Sequence, residues 1–148
     1  GKAISTVNDP DVLFRTVIGL CAEIFESDNV TVRVMEENLL KPVAFLRQTE
    51  PERRPLESGD GFSGLIYKEQ KSQLLEDLSY HPGYLDPGEE TRCVICVPIS
   101  VREDHLGTLS VEKNISDFYK KDDLEILEAM ASQIGLALLN ARLFMEMR

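Results

Sequence analysis

The sequence of 148 residues has no tryptophan, only two histidines and only three cysteines. An odd number of cysteines argues against a closed disulfide framework and favours a reducing, cytoplasmic setting. The two histidines lack the spacing of metal ligands, and the sequence pairs neither of them with a nucleophile and a carboxylate. We therefore predict no metal site and no catalytic set.

Basic residues are also scarce, because 16 Lys plus Arg stand against 26 Asp plus Glu and the formal net charge is −10. Phosphate groups would be repelled by such a chain, which argues against nucleic-acid binding and against an anionic membrane surface. No apolar run approaches the length that spans a bilayer, and no basic-then-apolar N-terminus is typical of a signal peptide. We predict a cytoplasmic domain that has neither nucleic acid nor membrane as a partner.

The composition that remains is ordinary for one globular domain, with 43% hydrophobic and 28% charged residues. The chain starts with Gly1, and its last predicted helix has no stop signal before Arg148. We therefore expect residues 1–148 to be one domain from a longer protein. Its C-terminal helix, about 121–148, would extend toward a missing output domain.

The periodicity of apolar residues predicts both helices and strands. Asp9 and Pro10 begin a helix, because Asp caps a helix and Pro suits its first turn. Apolar alternation or helical spacing then predicts strands at 30–34, 43–47, 72–75, 93–101 and 106–113, a short helix at 62–70 and a long one from 121. Loops fill the gaps, the longest at 77–90. This order predicts an α+β fold with an antiparallel sheet and helices on at least one face.

The last helix carries two apolar stripes. The first repeats at alternating spacings of three and four residues: Leu124, Leu127, Ala131, Ile134, Leu138, Ala141 and Met145. The second consists of Met130, Leu136, Leu139, Leu143 and Met147. One stripe can cover the sheet, and the other needs the N-terminal helix, another chain or both. Because spacings of three and four are typical of coiled coils, we predict a homodimer through the terminal helices.

A glycine motif, Gly59-Asp60-Gly61-Phe62-Ser63-Gly64, has the G-x-G-x-x-G spacing of dinucleotide sites. In those sites the glycines follow a buried strand within a βαβ unit. Here a polar loop with two prolines precedes them, and no βαβ alternation is present. We therefore favour a tight loop that enters a helix, with cofactor binding as the alternative.

Cys93-x-x-Cys96 invites a redox or metal interpretation. On a strand, however, a spacing of three directs the two side chains to opposite faces. Burial as small hydrophobic residues is the preferred interpretation. In the long loop, Tyr80, His81 and Tyr84 could close over a ligand, or they could simply be packed or exposed there.

Six segments occur in a characteristic order along the chain: 59–66, 72–77, 93–99, 105–111, 118–124 and 140–144. Together they resemble the GAF family over nearly the whole chain. These are a glycine-containing entry to a short helix, a strand that ends in Asp77, an apolar strand with Pro98, a partner strand with Gly107, and the two ends of the last helix. The resemblance implies an antiparallel sheet of about six strands. It also implies that the terminal helices lie on one face and that short helices and loops form a pocket on the other.

Domains of this family sense small molecules, or only dimerise, inside histidine kinases, phosphodiesterases, cyclases and transcription activators, and they usually have no chemistry of their own. The resemblance therefore implies a non-catalytic, regulatory sensing domain of a signal-transduction protein such as a sensor histidine kinase. Its ligand is unknown, and no covalent bilin is expected because Tyr80, not a cysteine, precedes His81. The candidate ligand-binding residues are Arg33, Phe45, Phe62, Tyr67, Tyr80, His81, Tyr84, Cys96, Ser110 and Glu112.

Two alternatives remain open. The first is a ligand-free dimerisation module. The second, less favoured, is a redox enzyme similar to free methionine sulfoxide reductases, which share the fold. Those enzymes use well-separated cysteines, whereas Cys93 and Cys96 are close together, and the chain has no tryptophan for a substrate site.

Overall fold

The computed structural model describes residues 9–46, 54–83 and 87–146, with side chains as far as residue 143 in the last helix. In chain order the elements are α1 (Pro10–Ile24), β1 (Asn29–Glu36), β2 (Leu39–Leu46), α2 (Gly61–Glu69), β3 (Gln73–Leu75), β4 (Cys93–Val101), β5 (Asp104–Lys113) and α3 (Lys121–Glu146). A short 3-10 helix, Leu78–Tyr80, follows β3. The predicted α+β class is confirmed.

Helix α1 begins as its sequence predicts. The Asp9 carboxylate accepts the backbone N–H of Asp11 at 2.9 Å, and Pro10 occupies the first turn. Leu13, Val17 and Cys21 on one side of the helix are fully buried. The helix contacts β1, β2 and α3.

The five strands that the structure describes form one antiparallel sheet in the order β2-β1-β5-β4-β3. The prediction was about six strands. The sheet places β1 and β5 next to each other near its centre, with Thr31 opposite Ser110 and Arg33 opposite Thr108. Cys96 of β4 lies opposite Ser110 on the other side of β5. These pairings decide which side chains share a face.

The larger hydrophobic core lies between the terminal helices and one face of the sheet, as the resemblance implied. Its side chains include Val30, Val32 and Val34 of β1 and the odd-numbered residues of β4 from Cys93 to Ile99. In α3 the predicted first stripe is the inward face, because Leu127, Ala131, Ile134, Leu138 and Ala141 are all buried.

The predicted second stripe of α3 does not lie on one face. Met130 is buried in the core, whereas Leu136 and Leu143 are both 56% exposed and Leu139 is half-buried. Residue 147 lies outside the described residues. The difference arises because Met130 is six residues from Leu136, and six residues turn a helix by much less than two full turns.

By length and composition, the segment Lys121–Leu143 of α3 is apolar enough to cross a membrane. This differs from the expectation that no apolar run approaches the length that spans a bilayer. Helices that cover a sheet have the same composition on their inward side, and the inward side chains of α3 are buried against the sheet. We attribute the apolar character of α3 to this packing.

Candidate functional site

The face of the sheet turned away from the terminal helices carries buried polar side chains. Strand alternation and register bring six of them together, here called the polar face: Asn29, Thr31 and Arg33 of β1 and Thr108, Ser110 and Glu112 of β5. All six are more than nine-tenths buried. Buried polar groups are costly unless they are hydrogen-bonded, so such a concentration on one face makes that face the candidate site.

A small apolar cluster lies beside the polar face. It consists of Phe62 and Ile66 of α2, Leu75 of β3, and Val94 and Cys96 of β4. The Cys96 thiol lies 3.8 Å from the Ser63 hydroxyl of α2. Helix α2 therefore packs over β4 and β5, with Leu75 of β3 at the edge of the cluster, and lies beside the polar side chains of β5.

Arg33 is one of two ionisable residues buried on the polar face. Its Nη1 donates to the backbone carbonyl oxygens of Arg54 at 2.6 Å and Leu40 at 3.3 Å. These carbonyls solvate the guanidinium charge in place of water. The side chain thereby ties β2 and the segment that starts at residue 54 to the sheet.

Glu112, at the other end of the polar face, is the second buried ionisable residue. Its Oε1 accepts the Thr91 hydroxyl at 2.5 Å and the backbone N–H of Gly88 at 3.1 Å. Its Oε2 accepts the Asn29 side-chain amide at 3.5 Å. The carboxylate therefore holds the segment before β4 against this end of the sheet.

The glycine motif forms a tight turn into α2. Gly59 and Gly61 have φ of +95° and +63°, a conformation that favours glycine, and the Gly59 N–H donates to the Gly64 carbonyl at 2.8 Å. A Cβ on Gly64 would lie 2.7 Å from the carbonyl oxygen of Glu57. The turn and the close packing thus account for these glycines, which agrees with the preferred interpretation of a tight loop that enters a helix.

An open cleft of about 550 Å³ beside the turn is lined by residues such as Leu39, Leu56 and Asp60.

The two cysteines of the C-x-x-C motif lie on opposite faces, as predicted. Cys93 lies in the core under the terminal helices and accepts the backbone N–H of Tyr119 at 3.5 Å, whereas Cys96 lies in the cluster beside the polar face. Burial raises the pKa of the Cys93 thiol, and it raises the pKa of Cys21 to about 12. No disulfide joins any of the three cysteines, all of which the structure describes. Within the described ranges, no three His, Cys, Asp or Glu residues form a metal-binding group.

The structure brings together five of the ten predicted ligand-binding residues: Arg33, Phe62, Cys96, Ser110 and Glu112. Phe45 lies on the edge strand opposite Thr31 and is 37% exposed.

The other predicted residues lie apart from these five. Tyr67 donates its hydroxyl to the His105 carbonyl at 3.1 Å, near the hairpin that joins β4 and β5. Tyr80 is 80% exposed, and His81 is also exposed. Tyr84 lies outside the described residues.

Sequence reasoning missed five buried polar residues at or beside the site: Asn29, Thr31, Ser63, Thr91 and Thr108. For two of them the sequence carried a signal, the alternation of side chains along a strand. Once Arg33 and Ser110 are placed on a face, strand alternation puts Thr31 and Thr108 on the same face. Thr91 lies in a loop and offers no such periodicity.

Comparison with known proteins gives a family. The model of the GAF domain matches residues 9–138. Among solved structures, the free methionine-R-sulfoxide reductase from Neisseria meningitidis, in complex with its substrate, has a TM-score of 0.86 at 15% identity, covering 95% of this chain and 84% of its own.

Two further structures are similar in fold. The GAF domain from the Acinetobacter phosphoenolpyruvate-protein phosphotransferase has a TM-score of 0.84 at 18% identity, with coverage of 95% of this chain and 89% of its own. The type II free methionine-R-sulfoxide reductase from Thermoplasma acidophilum has a TM-score of 0.73 at 21% identity, with coverage of 84% and 90%. Identities this low support a shared fold, which occurs both in GAF domains and in free methionine-R-sulfoxide reductases.

Proposed function

We propose a function that starts from the family, since the chain belongs to the GAF domain family. In this proposal it is the small-molecule-sensing domain of a multidomain signal-transduction protein, such as a cytoplasmic sensor histidine kinase. In this proposal the domain has no catalytic chemistry of its own and contacts neither nucleic acid nor membrane. The observation that carries it is the polar face, whose six buried polar residues lie opposite the terminal helices. Two of these residues, Arg33 and Glu112, tie loop segments to the sheet, and the polar groups between them lie where a ligand could reach both segments.

The position of the polar face suggests how a signal would leave it. Arg33 and Glu112 hold two loop segments against one side of the sheet, and the terminal helices pack on the other side of the same strands. A ligand that rearranged those segments would shift strands that the helices touch. It can do so only if it binds the two arrangements with different affinity.

The second copy of this chain is the partner that we propose for the terminal helices. Leu136, Leu139 and Leu143 follow the three-and-four spacing of a helix–helix seam, and Leu136 and Leu143 are exposed. Leu136→Glu should convert a dimer to a monomer in sedimentation velocity. Ile115→Glu is the matched control, because Ile115 is 55% exposed but lies outside α3. A wild type that stays monomeric at high concentration would contradict the dimer.

A thermal-shift screen tests ligand sensing. Cyclic nucleotides, free amino acids, 2-oxoacids and divalent metals are added to the wild type and to two variants. Ser110→Leu blocks the centre of the polar face, and Ser58→Leu makes the same change at an exposed position. We expect at least one compound to raise Tm in the wild type and in Ser58→Leu but not in Ser110→Leu. A panel that raises no Tm favours the ligand-free dimerisation module instead.

A redox enzyme is the second candidate, because two similar folds are free methionine-R-sulfoxide reductases and the Cys96 thiol lies beside the polar face. Against it, Cys93 and Cys21 are buried in the core on the other side of the sheet. The test is reduction of free methionine sulfoxide with dithiothreitol as the reductant. Turnover that Cys96→Ala abolishes and Cys93→Ala retains would support the enzyme, whereas absence of turnover would remove it.

A further inference from the structure

The end of the polar face where β1 begins has an unusual hydrogen-bonding pattern. Asn29 lies directly opposite Glu112 and is only 7% exposed. Its Nδ2 is 3.5 Å from the Glu112 Oε2, whereas its Oδ1 is buried without any hydrogen-bond partner. Among the residues that the structure describes, this is the buried side-chain oxygen that lacks a donor.

The neighbouring carboxylate fixes which way the Asn29 amide points. An ionised carboxylate only accepts hydrogen bonds, so the amide turns its NH₂ group toward Glu112. Turning the amide over would place two oxygens side by side and repel them. The vacant acceptor is therefore a consequence of Glu112 and not an arbitrary choice of amide orientation.

The group that fits here must donate several hydrogen bonds and favour a negative environment. A primary ammonium has three N–H donors and no acceptor, which matches the Asn29 oxygen and the Glu112 carboxylate together. A metal ion fits less well, because within the described residues Glu112 belongs to no group of three carboxylates, cysteines or histidines that could hold one. The net charge of −10 also favours a cationic group.

We propose that the pair Asn29–Glu112 is a binding site for the primary ammonium group of a small ligand. This inference rests on the proposed sensing function and names the class of ligand. The Arg33 guanidinium belongs to the other end of the polar face, four residues further along β1 or about 13 Å of strand. A ligand bound at Asn29–Glu112 therefore holds its ammonium away from the buried guanidinium cation.

Paired probes test the inference on the whole chain. Free amino acids and putrescine form the amine panel, and the N-acetylated amino acids and the corresponding 2-oxoacids form the panel without an ammonium. Binding is measured by thermal shift and then by calorimetry. We expect members of the amine panel to bind and their acetylated counterparts to bind at least about tenfold more weakly, the size expected for losing a charge-assisted hydrogen bond.

Variants of Asn29 avoid the loop contacts that Glu112 makes and therefore keep the test interpretable if Glu112 variants fail to fold. Asn29→Leu removes the vacant oxygen and should weaken amine binding by about tenfold. Asn29→Asp sets a second carboxylate against Glu112, so the two buried groups repel each other and the unliganded variant should be less stable; an amine that binds between them should raise its Tm by more than it raises that of the wild type. Asn38→Asp makes the same change at an exposed hairpin position and should leave amine binding unaltered.

Each outcome separates the two proposals. If only compounds without an ammonium bind, or if Asn29→Leu binds amines as well as the wild type does, the ammonium site is refuted and sensing stands. If no compound of either panel or of the wider screen binds, sensing itself is refuted. A crystal structure with a water on the Asn29 oxygen in the presence of a saturating amine would also overturn the inference.

Discussion

Gly107 tests the strand register that assembles the polar face. It lies in β5 opposite Val34 of β1, one residue before Thr108. A Cβ on Gly107 would stand 1.9 Å from the carbonyl oxygen of Arg33, which is about 1.5 Å closer than ordinary contact. Because the obstacle is backbone, no side-chain rotation relieves it, and Gly107→Ala must push β1 and β5 apart.

The cost can be worked from this geometry. Overpacking of a tight interior costs about 1–3 kcal/mol, and each backbone hydrogen bond that the separation breaks adds about 1 kcal/mol. We expect Gly107→Ala to lose about 3 kcal/mol and to lower Tm by about 6–12 °C for a chain of this size. The assay is denaturant unfolding together with calorimetry.

Gly19→Ala is the matched control. Gly19 lies in the exposed face of α1, and a Cβ there meets no atom within 4 Å. The same substitution should therefore stabilise the protein by about 1 kcal/mol, the helix-propensity difference between the two residues. If Gly107→Ala unfolds within about 0.5 kcal/mol of the wild type, a range typical of surface changes, the register that places Arg33 and Thr108 on one face is wrong.

Three further predictions follow from buried or hydrogen-bonded groups. Arg33→Met takes the guanidinium donor away from the Arg54 carbonyl and removes one of the two donors to the Leu40 carbonyl, which keeps the Leu56 N–H. It should cost about 1–3 kcal/mol in denaturant unfolding, whereas an unchanged midpoint would mean that Arg33 anchors nothing. The backbone N–H and the hydroxyl of Ser79 hold the pKa of Asp77 below its usual value. Asp77 therefore stabilises the fold at pH values above its unfolded pKa and loses that effect as the pH falls through its folded pKa. Ser79→Ala should raise the NMR titration midpoint of Asp77. Because all three cysteines are buried, and burial raises the pKa of Cys21 to about 12, a thiol reagent at pH 8 should label the native protein far more slowly than the unfolded chain; equal rates would contradict that burial.

The main architecture was predictable because its signals are periodic. The alternation of Val30, Val32 and Val34 and the three-and-four spacing of Leu127, Ile134 and Leu138 each fix a buried face without further information. The opposite faces of Cys93 and Cys96 follow in the same way from a strand period of two.

The composition of the site was predictable only in part, because it depends on contacts between distant segments. Arg33, Ser110 and Glu112 were among the predicted ligand-binding residues, but their neighbours depend on a register that one residue of slip would invert. Aromatic character alone selected Tyr80, which the structure leaves exposed. The vacant oxygen of Asn29 depends on the side-chain geometry at Glu112, and no sequence pattern encodes it.

The central claim is that occupancy of the polar face is coupled to the association of the terminal helices. The most direct test is the dimer dissociation constant, measured by sedimentation equilibrium with and without a saturating amount of the screened compound that raises Tm most. The account predicts a change of at least about fivefold, the lower end of typical coupling between sites, and it predicts the loss of that change in Ser110→Leu. A bound compound that leaves the dissociation constant unaltered would contradict the account.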